Sequence, residues 1–315
     1  MVNKSKFRIV IFKLKFLNPF PMNSFKLYLI ALSFLFSFNS IGQNIDDVKI
    51  ETTKMSDHVY MLIGSGGNIG ISVGEDGVFV IDDQYATLTP RIIAAIREIS
   101  DKPIQYLVNT HWHGDHTGGN ENMTKEGAAI MAHDNVRKRL VETPTNDQSK
   151  RPEEALPVIT FNDKMNLYMN GEQIAIFHVE KAHTDGDALI YFTESNVLHT
   201  GDVFFNGLYP YIDLNSGGSV NGYINAVERT LMLIDDETKI IPGHGPVSNK
   251  REYSVFLKML KELRKNVLAE IAKGKSEDEV SDNSEITKIY DDLGYSHRFI
   301  TSEKIRRTMY KSLKE

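Results

Sequence analysis

The chain has 315 residues, of which 25% are charged and 41% hydrophobic, with a formal net charge of −6 and no cysteine. This length is sufficient for one large α/β domain with a substantial core. The absence of cysteine excludes disulfide bonds and lipid attachment through a cysteine. It also fits export to a compartment in which free thiols are a hazard.

The first 42 residues predict a targeting segment. Residues 22–26 form a short basic start, residues 27–38 form an apolar run of twelve residues, and polar residues lead to Gln43. Such a run is too short for a comfortable membrane span but suits the apolar region of a secretory signal peptide. We expect cleavage near Gln43, with an uncleaved anchor as the alternative and Met22 as a second candidate start. The mature protein would then be a single domain, residues 43–315, exported to the periplasm or secreted and without a stable membrane anchor.

The charge of the expected mature chain bears on its partners. Residues 1–42 contain six of the 36 Lys and Arg and none of the 42 Asp and Glu, which leaves 30 basic and 42 acidic residues, a net charge of −12. An acidic surface is poorly suited to the phosphate backbone of a nucleic acid. We therefore expect a small-molecule substrate and no nucleic-acid partner, while the oligomeric state stays open.

The first half of the chain predicts short strands joined by glycine-rich turns. Runs of β-branched residues predict strands at 48–52, 59–63, 69–73, 78–81 and 106–108. The glycine-rich run 64–67 lacks the lysine and helix that follow a phosphate-binding loop, so it predicts a hairpin turn that can overhang a site. Thr89 and Pro90 predict the start of a helix, because a capping hydroxyl precedes a proline in the first turn.

The second half predicts another set of strands followed by helices. Three prolines predict a surface loop at 143–157. Asn170 and Gly171 predict a tight hairpin, because this dipeptide suits a two-residue turn. The hairpin joins strands at 164–169 and 172–179, and further elements are strands at 188–192 and 196–199 and helices at 250–273 and 302–313. The chain therefore predicts two half-sheets with helices around them.

Seven histidine and aspartate residues form one pattern along the chain. Four of them fall within six residues, and three single residues follow downstream, each close to glycine at a strand end. They are His111, His113, Asp115 and His116, followed by His183, Asp202 and His244. Imidazole nitrogen and carboxylate oxygen without thiolate are the ligands of zinc-like ions. Because four ligands within six residues cannot all reach one small ion, the pattern predicts two adjacent ions, an arrangement typical of hydrolytic enzymes.

The order and spacing of these residues resemble the metallo-β-lactamase-fold superfamily over residues 45–315. The resemblance implies an α/β fold, a four-layer αββα sandwich, which agrees with two half-sheets that each bring ligands to one edge. It implies that the first metal is bound by His111, His113 and His183. It implies that the second metal is bound by Asp115, His116 and His244, and that Asp202 bridges both.

The resemblance also implies roles for two aspartates and for the metals. Asp115 is expected to be catalytic, because it helps to orient the nucleophile while it binds the second metal. Asp82, at the end of the predicted strand 78–81, is expected to support the ligands without binding a metal itself. The expected cofactors are two Zn²⁺ ions, with iron or manganese as alternatives.

Departures from one branch of the superfamily narrow the expected function. A well-known subclass of β-lactamases has a cysteine at the bridging position and a lysine shortly after it. Here the bridging position is Asp202, and residues 203–209 contain no Lys or Arg. The chain therefore looks more like the thioesterases of the glyoxalase II type, the lactonases and the esterases. We expect a binuclear zinc hydrolase that cleaves an ester, thioester, lactone or amide-type carbonyl.

Three other functions are alternatives to this one. The first is a class B-like β-lactamase, and the second is a mononuclear iron enzyme of the persulfide dioxygenase type. The third is a non-catalytic binding module, which is disfavoured because none of the expected ligands is missing.

Several residues near the motifs have two open interpretations. His199 is the best supporting candidate among the histidines outside the pattern. Asp187 either orients the turn after His183 or acts in the site. Trp112 either packs against the sheet edge or forms a wall of the substrate pocket. Tyr209 and Tyr211 either contact substrate or order a loop.

The targeting segment gives a first testable prediction. Protein recovered from the cell envelope or medium of the native host should begin near Gln43, because the apolar run and its polar exit are typical of a cleaved signal peptide. N-terminal sequencing measures this. A cytoplasmic protein that retains residues 1–42 would contradict it.

Overall fold

Two mixed β-sheets organise the structure, a computed structural model that describes residues 47–144 and 149–314. All of these residues belong to one unit, Ile45–Glu315. The expected targeting segment and its cleavage region lie outside the described residues. Among the helices of the described ranges, none is long and apolar enough to cross a membrane.

The first sheet has seven strands that lie side by side in chain order. They are β1 (Glu51–Lys54), β2 (Val59–Ile63), β3 (Ile69–Gly74), β4 (Gly77–Ile81), β5 (Ile104–Asn109), β6 (Ala129–His133) and β7 (Ile159–Phe161). Strands β1 to β4 pair antiparallel, and β4 to β7 pair parallel.

The second sheet has six strands in the order β13-β12-β11-β10-β9-β8. They are β8 (Lys164–Met169), β9 (Glu172–His178), β10 (Ala188–Phe192), β11 (Val197–His199), β12 (Lys239–Ile241) and β13 (Ser248–Asn249). All of its pairs are antiparallel except β11 with β12.

Helices cover the outer faces of both sheets or lie in the loops between strands. They are α1 (Thr89–Ile99), α2 (Gly114–Thr117), α3 (Asn120–Lys125), α4 (Asp134–Glu142), α5 (Val220–Leu233), α6 (Lys250–Ala272), α7 (Glu277–Asp282), α8 (Lys288–Asp292) and α9 (Ser302–Lys314). Alternate residues of each strand face opposite sides, so one face of each sheet is free to pack on the other sheet. Phe79 and Val108 of the first sheet meet Ile176 and Phe192 of the second in this central core. Helix α1 packs on the far side of the first sheet, and α5, α6 and α9 pack on the far side of the second. The predicted four-layer αββα sandwich is confirmed.

The sequence located nine of the thirteen strands and three of the nine α-helices of the described residues. Strand β1 begins at Glu51, not at 48, because Val48 and Ile50 pack into the core beside α1 before the exposed edge strand starts. The sequence did not predict the strands β6, β7, β12 and β13 or the helices α2, α3, α4, α5, α7 and α8. β6 reads Ala-Ile-Met-Ala-His, and a short apolar run with good helix formers does not reveal its periodicity.

Parallel pairing brings the ligand-bearing loops to one edge of the sandwich. Asp82 follows β4 and Thr110 follows β5, and these strands are parallel neighbours. Asp202 and His244 follow β11 and β12, which are also parallel neighbours. Because the carboxyl ends of parallel strands meet at one edge, loops far apart in sequence converge there.

The predicted hairpin at Asn170 and Gly171 also joins the two sheets. Both residues have positive φ, +56° and +80°, as a tight hairpin turn requires. The buried Asn170 amide donates to Ser72 Oγ at 3.2 Å and to the Gly77 carbonyl at 3.1 Å, and its backbone N–H donates to Asp76 at 2.7 Å. This side chain therefore connects the β8–β9 hairpin to the β3–β4 turn, away from the ligand-bearing edge.

The Asn170→Ala variant should lower the free energy of unfolding by about 1–3 kcal/mol, because it leaves buried polar groups unpaired. The positive φ adds to this cost, because alanine adopts it less readily than asparagine. Urea denaturation followed by circular dichroism measures the change. A midpoint equal to that of the wild type would show that the amide contributes nothing to the joining of the sheets.

Candidate metal centre

Two groups of side chains lie together at the ligand-bearing edge. In each group the ligand atoms lie within 4.8 Å of one another, a spacing that allows them to share an ion. The first group is His111, His113, His183 and Asp202, and the second is Asp115, His116 and His244. The structure therefore brings all seven sequence-predicted residues together, in the two sets that the resemblance implies.

The Asp202 carboxylate lies between the two groups. Its Oδ2 is 3.5 Å from His183 Nε2 and 3.8 Å from His111 Nε2. Its Oδ1 is 3.2 Å from His116 Nε2 and 3.4 Å from His244 Nε2. Each oxygen therefore faces a different group, which is the geometry that a shared ligand requires.

The rings of the first group are oriented by hydrogen bonds behind them. His183 Nδ1 donates to the Tyr211 carbonyl at 2.8 Å, and His111 Nδ1 lies 3.1 Å from Thr110 Oγ1. These bonds leave the Nε2 atoms of His111 and His183 pointing inward. His113 is reversed, because its Nδ1 points inward, 3.1 Å from His111 Nε2 and 2.9 Å from His183 Nε2.

Asp213 explains the reversed orientation of His113 and was missed by the sequence analysis. Its Oδ2 is 3.0 Å from His113 Nε2 and also accepts a hydrogen bond from Ser216 Oγ at 2.6 Å. Burial raises the pKa of Asp213, but the bonds from His113 and Ser216 outweigh this effect and lower it to about 2. No local motif could reveal this contact, because the partners are 100 positions apart.

Asp82 supports the second group, on the side away from the cluster. Its Oδ2 lies 2.7 Å from His116 Nδ1 and accepts a hydrogen bond from Thr110 Oγ1 at 2.7 Å, while its Oδ1 accepts one from the Thr110 N–H at 2.8 Å. Asp82 and Gln84 have φ of +60° and +55°, in the left-handed region that costs a non-glycine residue about 1 kcal/mol or more. The backbone is therefore strained at Asp82, the residue whose side chain orients His116.

The ionisation of the cluster favours a bound cation. Burial lowers the pKa of His183 to about 4 and that of His111 well below its usual value, so both rings are neutral and keep a free lone pair. Burial raises the pKa of Asp115, but the imidazoles of His116 and His244 outweigh this effect and lower it to about 2. For Asp202, burial is likewise outweighed by neighbouring imidazoles, and its pKa lies well below the usual value. Burial lowers the pKa of His116 and His244, but the two carboxylates outweigh this effect and raise it, well above the usual value for His116 and to about 9 for His244. These two rings therefore hold protons that a bound cation would replace.

Two unpaired atoms test whether the residues fit metal ions. His116 Nε2 and Asp202 Oδ1 are buried without a hydrogen-bond partner, although they are only 3.2 Å apart. Unpaired buried polar atoms are costly, and these two are of the types that bind a metal ion. The space around these two atoms is tight. A Cβ on Gly67 would lie 2.1 Å from the His116 ring, and a Cβ on Gly243 would lie 2.1 Å from the Asp202 carboxylate. The donor set and these two atoms fit a pair of divalent ions.

Aromatic rings border the cluster. Phe205 stacks on His244 at 5.1 Å between centroids, and Phe299 meets the same ring edge-on at 5.6 Å. Tyr211 stacks on His113 at 5.6 Å. Phe299 and Tyr211 keep 46% and 38% of their surface exposed, which an apolar part of a substrate could cover.

The structure resolves the open interpretations of the neighbouring residues. Tyr209 orders the C-terminal segment, because its hydroxyl donates to Asp291 at 2.7 Å, whereas Tyr211 borders the cluster. Trp112 packs on a small apolar cluster formed with α4. Asp187 accepts the Thr184 N–H at 2.8 Å and orients the turn after His183. His199 lies behind the cluster and bonds backbone groups of Asn68 and Gly201.

Several known proteins are similar to this chain. A "Beta-lactamase-like protein 2 homolog" of Caenorhabditis elegans is 26% identical over 60% of this chain, and the match spans only 56% of that protein. A hydroxyacylglutathione hydrolase of Pelagibacter ubique is 26% identical over 66% of this chain and 75% of its own. A metallo-beta-lactamase type 2 of Bacteroides fragilis is 21% identical over 70% of this chain and 90% of its own.

Solved structures share the fold at low identity. A metallo-beta-lactamase from Pontibacter korlensis superposes with a TM-score of 0.59 at 19% identity, covering 68% of this chain and 99% of that one. The sec-alkylsulfatase Pisa1 from Pseudomonas sp. superposes with a TM-score of 0.64 at 17% identity, covering 83% of this chain and 50% of that one.

The family model of the metallo-beta-lactamase superfamily matches residues 62–244. This match is more than half of the chain and contains all seven residues of the two groups. It shows that the chain belongs to the metallo-beta-lactamase superfamily, and the four-layer fold agrees with this assignment.

Proposed function

We propose that the protein is an exported binuclear zinc hydrolase that cleaves an ester, thioester, lactone or amide-type carbonyl of a small molecule. The observation that carries this proposal is the position of Asp202, whose two oxygens face two separate groups of ligands within a superfamily of metallo-hydrolases. A relative named as a hydroxyacylglutathione hydrolase supports hydrolysis of an acyl substrate. Export rests on the sequence of residues 1–42 alone.

Each residue of the cluster has a part in this proposal. His111, His113 and His183 would hold one zinc, Asp115, His116 and His244 would hold the other, and Asp202 would be shared. Bound zinc supplies Lewis acidity, which lowers the pKa of water towards about 7 and stabilises negative charge on a carbonyl oxygen. Asp82 and Asp213 hold the rings of His116 and His113 in the orientation that ligation requires.

Asp115 is the chain's own candidate for orienting the attacking water. It is ionised, and 25% of its side chain is exposed, so water and substrate can reach it. Its Oδ2 is 3.4 Å from His244 Nε2 and 3.7 Å from His116 Nε2. A carboxylate in this position can accept a hydrogen bond from water and direct its lone pair at the substrate.

The charges around the cluster favour an uncharged substrate group over a carboxylate. Residues 203–209 contain no Lys or Arg. Arg139, close to Trp112, is already held by Asp185 through two hydrogen bonds of 2.7 Å and 2.6 Å. Lys164 lies on β8 beside Phe177, in a groove next to the end of α5. The exposed faces of Phe299 and Tyr211 suit an apolar group instead.

Two alternatives remain distinct from this proposal. A class B-like β-lactamase is supported by relatives named metallo-beta-lactamase type 2. A mononuclear iron enzyme of the persulfide dioxygenase type would use the first group alone. Metal content distinguishes the iron enzyme, and relative substrate rates distinguish the β-lactamase.

Asp202→Ala should lower metal occupancy in both positions, because it removes the one negative ligand that faces both groups. The wild type should bind two zinc ions per chain, His183→Ala should weaken mainly the first ion, and His244→Ala mainly the second. Elemental analysis of proteins dialysed against zinc measures this. Asp236→Ala, which removes an exposed carboxylate, is the matched control and should keep both ions. A wild type that holds one ion, iron above all, would contradict the binuclear proposal.

Hydrolysis of β-lactams should be slower than hydrolysis of the best lactone, ester or thioester. Residues 203–209 contain no cation of the kind that commonly binds the β-lactam carboxylate. The charge-assisted hydrogen bond that such a cation makes contributes about 1.5–3 kcal/mol to binding. This corresponds to roughly 10- to 150-fold in kcat/KM. One zinc-loaded preparation should be used to measure kcat/KM for nitrocefin, a penicillin and a carbapenem, and for a lactone, an ester and a thioester. A β-lactam that outpaces all of them would make the protein a β-lactamase with an aspartate bridge.

A further inference from the structure

Asn68 is buried beside the cluster and has no part in the proposed chemistry. It follows the glycine-rich turn 64–67, and only 3% of its surface is exposed. Its side-chain amide donates to the carbonyls of Pro242 and Gly245, both at 2.8 Å, and its backbone N–H donates to the Gly243 carbonyl at 2.7 Å. These three bonds therefore hold the backbone directly before and directly after His244.

The same residue is connected to the turn that carries Asp202. The Asn68 carbonyl accepts a hydrogen bond from His199 Nε2 at 3.1 Å, and His199 Nδ1 accepts one from the Gly201 N–H at 3.1 Å. The Gly243 N–H donates to the Gly201 carbonyl at 2.8 Å, which closes a ring of hydrogen bonds. The loop that bears His244 and the turn that bears Asp202 are therefore held to each other through Asn68.

The turn before Asn68 reaches the remaining ligands of the second group. The Gly67 N–H donates to the Asp115 carbonyl at 3.1 Å, and Gly67 packs closely on the His116 ring. The first group has different supports, namely Thr110, the Tyr211 carbonyl and Asp213. Thr110 also bonds Asp82 behind His116, but none of the bonds made by Asn68 or Gly67 reaches a histidine of the first group.

We infer that Asn68 is a positioning residue for the second metal, because it holds His244 against Asp115 and Asp202 without being a ligand itself. This inference rests on the proposed binuclear function. Metal–ligand distances tolerate only about 0.2 Å, so a small displacement of the 242–245 loop weakens binding at this position. The amide is required because both of its N–H groups donate to carbonyls. Neither alanine nor aspartate has a side-chain donor that can make these two bonds.

The test compares metal binding by Asn68→Ala and Asn68→Asp with that of the wild type. Elemental analysis and titration with a zinc chelator give the number of ions and the affinity of each, and thermal melting gives stability. We expect two ions in the wild type, and binding of one ion weakened by about 10- to 100-fold in both variants, a loss typical of residues that orient a ligand. The other ion should keep its affinity.

Two matched variants separate positioning from general loss of stability. Asn170→Ala also removes a buried amide that joins two loops, but one far from the ligand-bearing edge, so it should lower the melting temperature and keep both ions. In the His244→Ala background, Asn68→Ala should cause no further loss of zinc affinity, because the ligand that it positions is already gone.

The outcomes distinguish the inference from the function on which it rests. A wild type that binds fewer than two ions refutes the binuclear function, and the inference falls with it. A wild type with two ions and an Asn68→Ala variant that also binds two with unchanged affinity refutes the inference alone. Loss of both ions in Asn68→Ala, or the same loss in Asn170→Ala, would also overturn it, because the effect would then be general destabilisation.

Discussion

The ligand-bearing edge depends on one buried carboxylate that faces two groups of imidazoles. Asp202 is only 5% exposed, and such a charge is costly to bury unless opposite charge or hydrogen bonds compensate for it. The surrounding rings of His183, His111, His116 and His244 lie 3.2–3.8 Å from its oxygens. Burial keeps His111 and His183 neutral, whereas the pKa of His116 and that of His244 are raised, so protons on these two rings compensate the charge. Bound metal ions would displace these protons and compensate the same carboxylate charge.

The supports of the cluster are polar and come from outside it. Asp82 and Asp213 hold His116 and His113 from behind, each at 3.0 Å or less. Both carboxylates are themselves fixed by further hydrogen bonds, from Thr110 and from Ser216. A ring that is hydrogen-bonded at one nitrogen presents the other in a set direction, so little entropy is lost when an ion binds.

Close packing around the cluster limits which residues the loops can contain. Gly67 and Gly243 have no room for a Cβ, because His116 and Asp202 occupy that space. Asp82 and Gln84 adopt left-handed backbone conformations that the surrounding bonds hold in place. Strain and tight packing occur together here, as they often do where a structure prepares a site before its ligand arrives.

The sequence alone determined the type and order of the seven residues of the cluster, because their spacing is local and their chemistry is specific. It also determined the hairpin at Asn170 and Gly171, whose backbone conformation follows from residue type. The helix at Lys250–Ala272 was equally predictable, because its apolar residues recur with helical spacing.

Only the tertiary structure decided how these residues are supported. Asp213 meets His113 from 100 positions away, and Asn68 meets Pro242 from 174 positions away. It also decided that Tyr211, and not Tyr209, borders the cluster. The physical reason is that these contacts arise from the pairing of strands in two sheets and from the packing of those sheets on each other. No pattern of neighbouring residues records which loops such pairing brings together.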